Sequence, residues 1–166
     1  PFPSICGRIC SAPCEPACVF SEDHSAISIR ALERYAADNG YKPSTKSKTI
    51  IQFNGKKVAI IGSGPSAMMA AHQLLQKKIK VEIFEAADQL GGLLRYGIPE
   101  FRLPKEIIDE EYAQLQAMGL DIHTNVFIGQ TKSLNSLVKS FDAVLIATGA
   151  GLAEFSQIQG ENLGGV

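Results

Sequence analysis

Beyond Cys18 the chain has no cysteine at all: Cys6, Cys10, Cys14 and Cys18 all fall in the first 18 of 166 residues. A disulfide framework staples a whole small domain, so that arrangement is excluded for most of the chain. Long apolar runs are missing too, and none approaches the roughly 20 residues of a membrane-spanning helix. Neither sign of charge dominates. A formal net charge of −1 gives no reason to expect nucleic acid or an anionic membrane as partner. There is no internal repeat and no low-complexity tract. No side chain stands out as a general acid or base: His24, His72 and His123 are scattered and read as loop or surface residues. What remains is ordinary globular material, 45% hydrophobic and 20% charged. It suffices for one domain with a small appendage. The chain opens on Pro1 and stops at "ENLGGV", so both ends read as cut, and the lack of a targeting signal says little.

Three stretches differ in character. Residues 1–40 form a Cys-rich helical segment, of which 1–24 are rich in Cys and Pro with little periodicity. Within "SAISIRALERYAADNG", Ile29, Leu32, Tyr35 and Ala36 fall at helical spacing and Gly40 offers a C-terminal stop. Residues 41–55 read as a polar linker with a short strand-like "TIIQF" near its end. Residues 56–166 follow a βαβ pattern. "KKVAIIG" is a buried-strand run. "GPSAMMAAHQLLQKK" is a helix with Met68, Ala71, Leu74 and Leu75 inward, and "KVEIFE" is the next strand. Pro104 starts a further helix at its first position, with Ile107, Ile108, Tyr112 and Leu115 on one face and Gly119 closing it. "LDIHTNVFI" and "FDAVLIATG" read as two more strands around a short helix near 133–139. The fold class is α/β.

"VAIIGSGPSA" carries the most information. Gly62, Gly64 and Ala67 make G-x-G-x-x-A directly after a strand and at the mouth of a helix. The first glycine permits the tight turn and the second lets the backbone approach a pyrophosphate. A small third residue allows close helix–strand packing. The diphosphate then meets free N–H groups at the positive end of the helix. Glu85 ends the next strand 23 residues after Gly62, where a ribose-binding carboxylate is expected. Such a carboxylate suits any ribose with free hydroxyls, so FAD and NAD both remain open here, whereas a 2′-phosphate would be repelled. Gly91-Gly92 and Gly97-Ile98-Pro99 follow. A second glycine turn beside the first suits a ligand that stays bound along the sheet edge, and two ordinary turns are the alternative.

These residues carry a family resemblance. "PFPSICGRICSAPCEPAC", "ISIRALERYAADN", "KVAIIGSGPSAMMAAHQL", "FEAADQLGGLLRYGIPEFRLPKEII" and "FDAVLIATGA" resemble, in order, the small (β) subunit of NADPH-dependent glutamate synthase. They are also similar to the amino-terminal electron-entry region of dihydropyrimidine dehydrogenase. The resemblance implies a Rossmann-like FAD-binding domain preceded by a small Cys-rich helical segment. In that family hydride passes from NADPH to FAD, and single electrons go on to [4Fe-4S] clusters. It implies FAD contacts at Gly62, Ser63, Gly64, Pro65 and Ser66 for the diphosphate, and at Glu85 for the adenosine ribose. Gly92 and Leu93 would line the stretch toward the flavin, Arg102 would reach the cofactor, and Thr148 and Gly149 would close over it. Phe127 or Ile128 would touch adenine. No side chain is given a catalytic role. A large catalytic subunit or another electron-acceptor protein is the implied partner, in the cytoplasm, with neither nucleic acid nor membrane.

The cysteines recur every four residues, but Pro13 and Pro16 prevent one continuous helix from stacking their sulfurs. An unbroken x3-x3-x3 run is neither the usual zinc pattern nor the usual single-segment [4Fe-4S] pattern. Zinc or disulfide stays open as the alternative. The resemblance instead divides the ligands between two clusters, with Cys10 and Cys14 on one and Cys18 on the other. Cys6 falls at a position that is no ligand, and Glu33 falls where a side-chain oxygen ligand stands. The chain also lacks a second dinucleotide loop, so the NADPH domain is expected elsewhere in a longer protein, and the 166 residues alone are expected to be inactive. The rival readings are a non-catalytic docking fragment of a larger redox complex and a simple NAD-binding dehydrogenase domain.

Overall fold

The computed structural model describes residues 1–21, 25–40, 52–151, 157–161 and 163. The nucleotide-type half is built on four short strands: β1 (Lys57–Ile61), β2 (Lys80–Phe84), β3 (Asp121–His123) and β4 (Ala143–Ile146). All pair in parallel, in the order β3-β2-β1-β4. Parallel pairing requires crossover connections, and helices supply them on both faces. Alternate residues of β1 divide between two cores, as the two-residue period of a strand demands. Ile60 points to one face, with Val81 and Ile83 of β2. There it meets Ala67, Met68, Ala71 and Leu75 of α3 (Pro65–Gln76) and Ile107, Ile108, Tyr112 and Leu115 of α5 (Lys105–Ala117). Ala59 and Ile61 point to the other face, where Phe84 and Leu137 of α6 (Leu134–Ser140) close a smaller core. The α/β class and the Rossmann-like architecture are as the sequence reads.

The amino-terminal segment holds two helices, α1 (Pro3–Ile9) and α2 (Ile29–Asn39). The pattern of 1–24 gave no sign of α1, yet Pro3 sits at its first position, where a missing N–H costs nothing. The helix ends at Ile9, Cys10 is extended, and the prolines that follow keep the cysteine loop out of helix. Gly7 lets α1 cross α2 closely, because a methyl there would lie 2.6 Å from the Arg34 backbone nitrogen. Arg8 binds Asp38 at 2.9 Å across the same crossing. Ile5 of α1 reaches the core shared by α3 and α5.

Several expectations change. Ile29, Leu32 and Tyr35 do lie on α2, but the stripe faces out, with Leu32 58% and Tyr35 67% exposed. Gly40 follows α2 in an extended conformation, and its need is space: a methyl there would sit 2.3 Å from the Ala36 carbonyl oxygen. Pro104 is the cap before α5 rather than its first residue. The nine-residue run "LDIHTNVFI" yields three strand residues, because Asn125 takes a left-handed turn. The chain beyond hydrogen-bonds the 85–87 segment instead, through Asn125 N–H to the Ala87 carbonyl and Val126 N–H to the Glu85 carbonyl. An unforeseen short helix, α4 (Leu93–Tyr96), follows the second glycine pair. His72 is half-buried on α3, edge-on to Phe2, and burial lowers its pKa; His123 is exposed in β3, while His24 lies outside the described residues. The strand expected at "TIIQF" begins outside them as well, and its last two residues, Gln52 and Phe53, are irregular.

Candidate dinucleotide site

After β1 the chain runs out to β2 and β3, then returns to β4 on the other side of β1. Such a switch point opens a crevice at the carboxyl ends of the strands, and this is where ligands bind in open α/β sheets. Gly62 turns the chain there with φ +102°, and a methyl on it would lie 2.3 Å from the Ala147 carbonyl oxygen. Only glycine fits this position. Gly64 is different. Its φ is ordinary, and a methyl would meet nothing within 4 Å. The loop therefore presents an open face at the residue that caps α3, and no side chain caps the helix there. Pro65 and Ser66 begin α3 and are exposed.

The second glycine pair comes directly against the first. A methyl on Gly92 would lie 3.0 Å from the Gly64 Cα, and Gly92 holds φ +50°. Leu93 beyond it is 69% exposed. Arg95 pins this second loop, donating to the Leu90 carbonyl at 2.6 Å and pairing with Asp109 of α5. Glu85 leaves the end of β2 half-buried, and its carboxylate accepts from the Ala87 N–H at 2.9 Å and from the Ser63 hydroxyl at 2.5 Å. Thr148 follows β4 beside Gly62, with Gly149 next in chain at φ +67°. Gly62, Ser63, Gly64, Glu85, Gly92 and Thr148 thus gather at one edge of the sheet.

Two candidate residues sit differently from the rest. Ser63 is 1% exposed and turns its hydroxyl inward, so only its backbone could face a diphosphate. Arg102 is exposed in the 99–103 turn, where its backbone N–H bonds the Pro99 carbonyl. Lys105 braces that turn, donating to the Leu94 carbonyl at 3.0 Å, the Leu103 carbonyl at 3.2 Å and the Ile98 carbonyl. Phe127 is 52% exposed and Ile128 half-buried. The site also contains a residue that sequence reasoning took for core alone. Tyr112 packs its ring in the core and donates its hydroxyl to the Ser63 carbonyl at 2.7 Å. Nothing in the periodicity of α5 distinguishes that tyrosine from its apolar neighbours.

At the amino-terminal end all four thiols are free. Cys10 and Cys14 are exposed, and the Cys10 sulfur accepts the Ala12 N–H at 3.3 Å. Backbone N–H groups of Ile27, Phe20 and Ser21 hold the Cys18 thiol below the usual range. Cys6 goes the other way, raised by burial first and then by the nearby Glu33 and Cys10 charges. Glu33 is half-buried and neighbours Cys6. Arg30 ties the cysteine loop to α2, donating to the Cys10 carbonyl at 2.9 Å. Among the described residues no three His, Cys, Asp or Glu side chains converge to hold a metal ion. Thiolates suit an iron–sulfur centre, but the donors described do not enclose one. No helix among the described residues is long and apolar enough to cross a membrane.

Two family models match parts of the chain. Residues 1–45 match the family model "dihydropyrimidine dehydrogenase domain II, 4Fe-4S cluster", and residues 60–108 match "NAD(P)-binding Rossmann-like domain". The small chain of NADPH glutamate synthase from Bacillus subtilis is 40% identical over 166 residues, covering 99% of this chain and 34% of the relative. The corresponding small chain from Mycobacterium tuberculosis is 37% identical over the same shares. Among solved structures, Mycobacterium tuberculosis FprA in complex with NADPH superposes with a TM-score of 0.53 and 30% identity. That match covers 64% of this chain and 25% of FprA. The chain spans about a third of the length of its curated relatives. Over almost all of its own length it is homologous to the small chains of NADPH-dependent glutamate synthase.

Proposed function

We propose that this chain is the FAD-binding portion of an NAD(P)H-dependent iron–sulfur flavoprotein oxidoreductase. The observation that carries the reading is the meeting of the two glycine loops beside Glu85, with the Gly64 face open. A cradle with no Cβ in the way suits a diphosphate, and a second loop that touches the first suits a ligand extending beyond it. When bound, FAD supplies hydride acceptance and one-electron release, chemistry that belongs to the cofactor. The chain binds and orients. Backbone N–H groups at the start of α3 face the phosphates, with Pro65 and the Ser66 hydroxyl beside them. Glu85 accepts the ribose hydroxyls. Gly92 and Leu93 lead toward the flavin end, Arg102 reaches the cofactor from its turn, and Thr148 and Gly149 close the β4 side.

In the longer protein, NADPH is the electron source, and Cys10, Cys14, Cys18 and Glu33 join ligands from other segments to hold [4Fe-4S] clusters. A large catalytic subunit receives the electrons in the cytoplasm. The homology to glutamate synthase small chains supports this wider role. The test is flavin release from the full-length protein. FAD is expected at one per site, and Glu85→Ala should weaken its binding by about 1.5–3 kcal/mol, the range for hydrogen bonds to a charged group. A colourless full-length protein, or one that releases only NAD, overturns the assignment.

A further inference from the structure

Ser63 is a junction of three elements. Its carbonyl accepts the Tyr112 hydroxyl from α5 at 2.7 Å, and its own hydroxyl donates to Glu85 at the end of β2 at 2.5 Å. The same hydroxyl accepts the Gly91 N–H from the second glycine loop at 3.0 Å. A serine hydroxyl has one proton. Here that proton goes to Glu85, so Ser63 is committed to the carboxylate and has none left for a phosphate. The carboxylate offers about four lone-pair sites. Ala87 N–H occupies one and Ser63 another, leaving two, which equals the number of hydroxyls on a vicinal ribose diol.

We propose that Tyr112 is a positioning residue for nucleotide recognition: by holding the Ser63 carbonyl it sets the hydroxyl that aims Glu85 at the ribose diol. This rests on the nucleotide reading above. The hydroxyl of Tyr112 is suited to the task. Its residue is 2% exposed, and burial first and the Glu85 charge second keep it protonated far above the ordinary phenol range. It therefore donates at every working pH. Removing that hydroxyl leaves the Ser63 carbonyl buried without its partner, which frees the loop to rotate away.

The experiment compares FAD with FAD lacking the 2′-hydroxyl on its adenosine ribose, each titrated into the deflavinated full-length protein. The unsubstituted protein should prefer FAD by about tenfold, the lower end for a hydrogen bond to a charged group. In Tyr112→Phe the preference should fall to within about twofold. A tyrosine that only packed the core would weaken both ligands equally and leave the ratio unchanged. Ser63→Ala provides a second route if Tyr112→Phe does not fold, and should also lose the preference. In a Glu85→Gln background Tyr112→Phe should change the ratio no further, because the two act through one carboxylate. A preserved ratio in Tyr112→Phe or in Ser63→Ala overturns the positioning role while leaving the nucleotide site standing. Absence of FAD binding by the unsubstituted protein overturns both.

Discussion

Gly62 and Gly64 stand two residues apart, yet an added methyl meets opposite surroundings at each. At Gly62 it would strike the Ala147 carbonyl, in a backbone conformation with φ +102°. Gly62→Ala should therefore destabilise the fold by about 1–3 kcal/mol from backbone strain alone, before the steric clash is added. At Gly64 the methyl would enter open space. Gly64→Ala should leave the thermal midpoint of the apoprotein nearly unchanged while blocking the approach of a diphosphate, so FAD affinity drops without loss of fold. Calorimetry paired with flavin titration checks both. Equal losses of stability at the two positions would mean that Gly64 serves structure rather than a ligand. The spacing of these glycines made the loop legible, because each residue's requirement is local. The inward turn of Ser63 was not legible, since it depends on Glu85, Gly91 and Tyr112, which lie 22, 28 and 49 positions away.

Among the elements, those with a long periodic face were readable and those fixed by a single contact were not. The apolar faces of α3 and α5 and the branched runs of β1 and β2 follow directly from their residues. α1 is seven residues long and α4 four, too short for periodicity to register. The stripe on α2 was readable as helix but not as an outward face, because burial depends on which neighbours cover it. The α1–α2 crossing offers a test. Gly7→Ala must push the helices apart, since its methyl would lie 2.6 Å from backbone rather than from a movable side chain. A loss of about 1–3 kcal/mol is expected, as for overpacked cores. The same crossing should be acid-sensitive. Burial pushes the Asp38 carboxyl up, but Arg8 and then Arg34, by hydrogen bond and charge, bring it below the usual carboxylate range overall. A depressed carboxylate stabilises above its unfolded pKa, and that contribution fades as pH falls below about 4 through the folded value. The protection of α1 and α2 amides against exchange should fall in that window, and in Asp38→Asn the pH dependence of protection should flatten. Unchanged protection across the window would remove Asp38 from the account.

For the molecule as a whole the question is whether the cysteine-bearing segment and the nucleotide half act as one unit. Their compositions differ enough that the sequence reads as two regions joined by a linker. Yet Ile5, beside Cys6, is 5% exposed within the same core as Met68, Ala71, Ile108 and Tyr112. Under the proposed function, mechanical continuity of this kind would hold the cysteine-bearing segment at a fixed distance from the nucleotide site. Ile5→Ala opens a cavity at that join and should cost about 2–5 kcal/mol, as large-to-small core substitutions do. The readout that decides the point is where the loss appears. In the full-length protein, site-resolved thiol labelling of Cys6 reports on α1, and amide exchange at Ile60 and Ile83 reports on the sheet. If the two regions share one cooperative core, both signals should shift together by the same free energy, because opening either exposes the other. If the substitution speeds Cys6 labelling while exchange in β1 and β2 keeps its original rate, α1 and α2 detach as a unit of their own. The separation between the cysteines and Gly64 would then not be set by this packing.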